Sequence, residues 1–279
     1  MIVHLIDGTY ELFRHFYGIR RFSKGEDPPF GAVNGVLHTV LQMLETGATH
    51  VGVATDHIIE SFRNELWPGY KTGAGVERVL KAQFTPLEEA LVAMGVAVWP
   101  MVELEADDAL ASAARLAALD ERVEKVCIWT PDKDLTQCVV DDRVVQVDRR
   151  NNVIRNADGV RAKFGVAPQF IPDYLALVGD SADGFPGISG CGPKTAAQLI
   201  NRYGPIEDFS PQVLNDEKRT LALLFKDLAT LRDDEPLFDD VNDLRWQGAT
   251  PEFAAIAEKV ENPRLVARVK QLEKRLINL

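Results

Sequence analysis

The chain has 279 residues, with 31 Lys and Arg against 42 Asp and Glu, a formal net charge of −11. Its 46% apolar and 26% charged residues exclude a wholly disordered chain, and the length allows one large domain or two smaller ones around a sizeable core. An acidic balance counts against a polyanionic partner unless the acids are gathered where divalent cations offset them.

MIVHLID reads as a strand ending in Asp7, and it lacks the basic start of a signal peptide. Residues 33–44 have helical spacing, and HVGVATD is a second strand ending in Asp56. Thr85 and Pro86 start a helix that runs to Met94, VAVW follows as a strand, and 106–119 is an alanine-rich helix. The apolar stretch 90–102 is broken by Gly95 and Pro100 and is too short to span a bilayer, so no membrane association is expected. KVCIWT is another strand, closed by Pro131 and Asp132. RVVQV and NVIR, on either side of a polar stretch, read as a hairpin. This alternation predicts an α/β fold, a mostly parallel sheet flanked by helices. After Phe164 short helices divided by Gly and Pro take over, which places a boundary near 165 and two regions, 1–165 and 166–279. The acidic run 232–243 reads as a solvated linker, and 262–279 as a packing helix. Cys127, Cys138 and Cys191 stand far apart, against a disulfide framework or a thiolate zinc site and in keeping with a reducing cytoplasm.

The acids are not scattered. Asp7 and Asp56 close two strands, Asp132 and Asp134 follow a third, and Glu105, Asp107 and Asp108 open a helix after a fourth. Ligand sites in open parallel sheets form beyond the carboxyl ends of the strands, so these segments deliver carboxylates to one rim. Asp180 and Asp183 add two more, spaced to share one face of a helical turn. A single Asp after a strand is usually a turn residue or a cap. Nine carboxylates brought together repel one another unless cations neutralise them. Oxygen ligands without His or Cys select Mg²⁺ or Mn²⁺ over zinc. Two such ions suit phosphodiester hydrolysis, which needs no protein nucleophile. The stretch 187–194 is not a phosphate-binding Walker loop, because Pro193 stands between Gly192 and Lys194.

The blocks LIDGTYELFR (5–14), FR with YK (62–63 and 70–71), ELEADDALAS (103–112), TPDKDLTQ (130–137) and LVGDSADGFPGISGCGPKTAAQL (177–199) resemble the 5′-3′ exonuclease and flap endonuclease family. In particular they resemble the N-terminal 5′-nuclease domain of bacterial DNA polymerase I and its stand-alone relatives. The resemblance implies a PIN-like nuclease core with a helical arch and a C-terminal helix–hairpin–helix region. It implies cutting of DNA near 5′ ends, flaps or nicks with two divalent metals, Mg²⁺ or Mn²⁺. By matching position, Asp7, Asp56, Glu105, Asp107 and Asp108 would serve the more catalytic metal, and Asp132, Asp134, Asp180 and Asp183 the second. Arg14 and Lys71 would contact the scissile phosphate, and Phe13 would stack on a terminal base. Arg63, in the FR block, would bind DNA, and Arg78 in the arch is expected to bind it as a compensating cation. Gly190, Gly192, Lys194 and Thr195 would form the hairpin that grips a phosphate and holds K⁺. A monomer acting on DNA in the cytoplasm, at the nucleoid, is expected. A PIN-type ribonuclease and a non-catalytic structured-DNA-binding protein are the alternatives; the hairpin block argues against the first and the filled acidic positions against the second.

Two positions depart from the family. An Arg is usual where Ala74 stands, and an aromatic where Asn34 stands. Both changes are expected on the arch or DNA-contact side, with Arg20, Arg21, Lys24, Lys81, Arg149 and Arg150 as compensating cations. Arg78, four residues after Ala74, would share its helix face.

Overall fold

A computed structural model describes the backbone of residues 1–20 and 28–277, and the side chains of these except 19, 20, 276 and 277. In chain order the elements are β1 (Ile2–Asp7), α1 (Gly8–Arg20), α2 (Gly31–Glu45), β2 (His50–Asp56), α3 (Arg63–Leu66), α4 (Arg78–Lys81), α5 (Phe84–Ala93), β3 (Ala97–Met101), α6 (Ala106–Leu119), β4 (Lys125–Trp129), β5 (Val144–Asp148) and β6 (Val153–Arg155). Helices then take over: α7 (Ala157–Phe164), α8 (Ile171–Val178), α9 (Pro193–Tyr203), α10 (Asp216–Ala229), α11 (Phe253–Lys259) and α12 (Arg264–Ile277).

The sheet runs β3-β2-β1-β4-β5-β6, parallel throughout except for β6, which returns as a hairpin beside β5. From β1 the chain builds outward through β2 and β3, then crosses to the other side with β4. The order therefore reverses between β1 and β4, and a crevice opens beyond their carboxyl ends. Both faces are covered, as a parallel sheet requires. On one face α1, α2 and α5, with α11 and α12 outside them, close a core around Leu12, Val36, Leu41 and Leu91. On the other lies α6, whose Ala109, Ala113 and Ala117 let it approach Val3, Leu5 and Val126 closely. A separate core unites α7 to α10 around Leu175, Phe185, Phe209 and Phe225. No helix among the described residues is long and apolar enough to cross a membrane.

One sequence expectation is borne out here and one needs correction. Asp180 and Asp183 share a single helical turn, which the Gly184 amide closes by donating to the Asp180 carbonyl at 2.8 Å. Helix α8 ends at Val178, Gly179 takes φ +90°, and Asp180 pairs back to Phe185 in a tight turn. The acidic run 232–243 is not a solvated linker. Leu231, Val241 and Leu244 are buried, and Phe238 stacks on Trp99 at 6.2 Å, so the run straps α6 and the edge of the sheet. Its charges stay outside because only the apolar positions turn inward.

Candidate active site

The crevice is built from strand ends. Asp7 closes β1, where the Tyr10 amide donates to its Oδ1 at 2.7 Å and Thr130 Oγ1 donates to Oδ2 at 2.9 Å. Asp56 closes β2 and accepts from the Ala106 amide at the start of α6, at 2.8 Å. Asp107 sits on the first turn of α6, and Asp132 follows β4. Among the described residues none of these four forms an ion pair with Lys or Arg. Burial pushes the Asp7 carboxyl up to about 7; the bonds from Tyr10 and Thr130 oppose it, and the charges of Asp56 and Asp132 add to it. Burial, then Asp132 and Asp7, push Asp107 well above the ordinary carboxylate range. A group of carboxylates that resists ionising in the bare protein is poised for a cation.

Asp134, Asp180 and Asp183 form an adjoining set. They are buried, and one oxygen from each lies within 4.8 Å of the others. Asp180 accepts from Lys133 Nζ at 2.7 Å and from the Ala182 amide at 2.9 Å. Asp134 Oδ1 is buried with no hydrogen-bond partner. Such an atom costs roughly 1–3 kcal/mol unless something fills the position, and an oxygen-only donor set fits a hard divalent cation. Asp132 joins the two sets: its Oδ1 accepts from the Asp134 amide at 3.0 Å, and its charge acts on Asp7, Asp107 and Asp134 alike.

Lys71 stands between the sets. Its Nζ lies 2.8 Å from Glu105 Oε2 and 3.0 Å from Asp183 Oδ1, and its amide donates to the Asp183 carbonyl at 2.9 Å. Gly184, at φ +85°, permits this approach, since a Cβ there would fall 2.0 Å from the Gly69 carbonyl oxygen. Burial alone would lower the Lys71 pKa, but Glu105 and Asp183 outweigh it and hold the ammonium charged. Glu105 also takes Ser61 Oγ at 2.6 Å and the Tyr70 hydroxyl at 3.3 Å. Glu105 is thus matched by protein cations rather than left open.

Arg63 and Asp108 are corrections. Arg63, expected to meet DNA, is 1% exposed and donates from both terminal nitrogens to Asp108, at 2.8 and 2.7 Å, and from Nε to the Leu228 carbonyl at 2.8 Å. Asp108, expected as a metal ligand, is 0% exposed. It also accepts from the Glu105 amide at 2.9 Å, closing a capping box on α6, and from the Arg232 amide at 2.8 Å. Helical geometry turns Asp107 to the crevice and its neighbour Asp108 away from it. Arg63 and Asp108 bind the α6 start to the strap and α10.

On the flank of the crevice Tyr10, Phe13, Arg14, Tyr17, Arg149 and Arg150 line a concave surface of about 600 Å³. Phe13 is half-buried, edge-on to Phe84 at 6.2 Å. Arg14 is held by Glu11 and by His15, whose Nε2 lies 2.8 Å away. Arg78 is exposed on α4; Ala74 is exposed in the preceding turn, outside any helix, so the two share no helix face. Asn34 points away from the crevice: its Nδ2 donates to the Val260 carbonyl at 2.8 Å. Gly190, Gly192, Lys194 and Thr195 are exposed at the start of α9, with Gly190 at φ +86° and Pro193 in its first turn. Arg20, Arg21 and Lys24 lie outside the described side chains. Sequence reasoning missed Lys133 and Tyr70, although both stand inside the quoted blocks, next to Asp132 and Lys71.

An open parallel sheet with an oxygen-only carboxylate cleft at its point of strand reversal, followed by a helical region, defines a PIN-like nuclease core. The family model "5′-3′ exonuclease, N-terminal resolvase-like domain" matches residues 2–165, and "5′-3′ exonuclease, C-terminal SAM fold" matches 166–252. The 5′-3′ exonuclease of Aquifex aeolicus is 29% identical over 98% of this chain and 95% of its own length. That of Buchnera aphidicola subsp. Baizongia pistaciae is 31% identical over 82% and 81%. The DNA polymerase I of Pseudomonas aeruginosa is 33% identical over 91% of this chain, which spans only 29% of that protein. The structure of T5 D15 protein co-crystallised with metal ions superposes with a TM-score of 0.67 at 19% identity, covering 94% of this chain and 98% of that one. The chain belongs to the 5′-3′ exonuclease and flap endonuclease family and is a nuclease hydrolase.

Proposed function

We propose that the chain hydrolyses phosphodiester bonds near the 5′ ends of DNA, at flaps or nicks, with two Mg²⁺ or Mn²⁺ ions. The observation that carries this reading is the pair of adjoining carboxylate sets sharing Asp132, one whose members form no ion pair among the described residues and the other containing the orphaned Asp134 oxygen. Asp7, Asp56, Asp107 and Asp132 would hold one ion, and Asp134, Asp180 and Asp183 the other. Bound there, the ions would supply an activated water and offset charge on the phosphate and leaving oxygen.

The remaining work falls to side chains. Lys71, charged and fixed by Glu105 and Asp183, sets a cation against the scissile phosphate. Arg14, braced by Glu11, does the same from α1, while Phe13 and Tyr17 offer ring faces to an unpaired base. The turn before α9 presents Gly190 and Gly192, backbone without side chains, with Lys194 and Thr195 at the helix start; a duplex phosphate and K⁺ suit it. T5 D15 flap endonuclease forms a pseudo-enzyme-product complex with DNA and metal ions, and its fold covers 98% of this chain at a TM-score of 0.66. Activity as a monomer in the cytoplasm belongs to the same reading.

The test is a 5′-labelled flap incubated with Mg²⁺, with Mn²⁺ and with EDTA. Cleavage near the flap base only with metal is the expected result. Binding without cleavage under all three conditions would overturn the reading, as would cleavage of single-stranded RNA in preference to the flap.

A further inference from the structure

Helix α12 lies beyond residue 252, where the second family model ends. Its inner side is committed to the core: Leu265, Val269 and Leu272 are buried against the layer of α2 and α5. The opposite arc carries Arg264, Ala267, Lys270, Gln271, Lys274 and Arg275, all exposed and none acidic. In a chain of net charge −11 this is a sharp local reversal.

The reversal is connected to the active-site flank. Arg268, at the edge of the arc, donates to both oxygens of Glu45 on α2, at 3.0 and 2.7 Å, and its Nη1 lies 2.6 Å from His38 Nδ1. One turn beyond His38, Gln42 accepts from Arg149 at 3.1 Å. Arg149 borders the concave surface that also holds Arg14 and Arg150. A line of cations thus leads from the crevice over α2 to α12.

We propose that the exposed arc of α12 is a second contact for the duplex-DNA backbone, engaged by a duplex arm that leaves the crevice over α1 and α2. The inference rests on the nuclease reading above. An amphipathic basic helix can also lie on a membrane, but that use needs its apolar face, which here is buried. The arc extends over about 16 Å from Arg264 to Arg275, while phosphates recur about every 3.4 Å along one strand, so several contacts fit along one helix. They are contacts to the backbone and carry affinity, not sequence preference.

The experiment compares wild type with the variant Arg264→Gln/Lys270→Gln/Lys274→Gln/Arg275→Gln, in which Gln keeps helix propensity near that of Lys and Arg. Binding of two 5′-flap substrates, one with short duplex arms and one with long arms, is measured across a salt series in Ca²⁺, and cleavage in Mg²⁺. On the long-armed flap the variant should bind at least about tenfold more weakly at low salt, with the slope of log Kobs against log salt smaller by about 3. Binding and cleavage of the short-armed flap should match wild type. Equal slopes for the two proteins on the long arm, or an equal loss on both substrates, would overturn the role of α12. Wild type failing to cut either flap in Mg²⁺ would instead overturn the nuclease reading on which it rests.

Discussion

Asp107 and Asp108 are consecutive residues on the first turn of α6, yet they belong to electrically different regions. Asp107 faces the crevice beside Asp7 and Asp132 and forms no ion pair among the described residues, with Lys71 acting on it only at longer range. Asp108 faces the interior, where Arg63 grips both its oxygens. The first region holds charge that the fold leaves unbalanced and is suited to a metal. The second holds charge that the fold has already balanced and serves to hold elements together. A carboxylate's role here depends on whether its counter-ion comes from the chain or from solution.

Substituting the two neighbours should separate these roles. Asp107→Asn should lower the single-turnover cleavage rate by about 1000-fold or more, equivalent to about 4 kcal/mol, with the melting temperature held or raised because a crowded charge is gone. Asp108→Ala should act first on stability. It leaves the Arg63 guanidinium buried beside Glu105 alone, at 3.4 Å, and should cost about 3 kcal/mol or more in chemical denaturation. If Asp108→Ala keeps wild-type stability and loses only cleavage, the division between the regions is wrong.

A smaller effect comes from pH. Asp7 titrates near 7 in the folded, metal-free chain against an ordinary 3.8, so the folded state holds its proton more tightly than the unfolded state. The stability this brings is complete below about pH 4 and is lost as pH rises through about 7. In EDTA, wild type should therefore lose more melting temperature between about pH 5 and pH 8 than Asp7→Asn does, and Mg²⁺ should stabilise wild type more at the higher pH. Parallel pH profiles for wild type and Asp7→Asn would show that Asp7 already has its counter-ion.

The smallest change is expected at Arg78, outside both regions. Arg78→Ala should flatten the salt dependence of flap binding by about 1 in log–log slope, with cleavage at saturating DNA unchanged. Ala74→Arg should not act as its substitute, because Ala74 lies in the turn before α4 rather than on the same helix face. Full rescue of Arg78→Ala by Ala74→Arg in the salt series would show that the segment becomes helical on DNA.

Much of the scaffold was legible from periodicity alone. The strands ending in Asp7 and Asp56, the helix over 106–119 and the hairpin near 150 all stand where apolar pattern and turn residues placed them. The strap at 232–243 does not read as packed from sequence because its three inward residues, Leu237, Phe238 and Val241, are outnumbered by acids, and composition averages over direction. The three-residue spacing of Asp180 and Asp183 places them on one face of a single turn, and the bond from the Gly184 amide to the Asp180 carbonyl closes it; what spacing does not show is that the turn is isolated and pairs Asp180 with Phe185.

By itself the sequence determined that carboxylates end successive strands, because the acids directly follow the apolar runs and a parallel sheet must bring such ends to one rim. It also carried the blocks that resemble the 5′-nuclease family. Tertiary structure alone decided which acids remain open. Arg63 reaches Asp108, Lys71 reaches Glu105 and Asp183, and Lys133 reaches Asp180. The first two pairings join residues more than thirty positions apart, and so does the third, so local pattern holds no record of them. Charge balance is a property of distance in space, and the electrostatic energy that sorts ligand from strut falls off with that distance and not with separation along the chain.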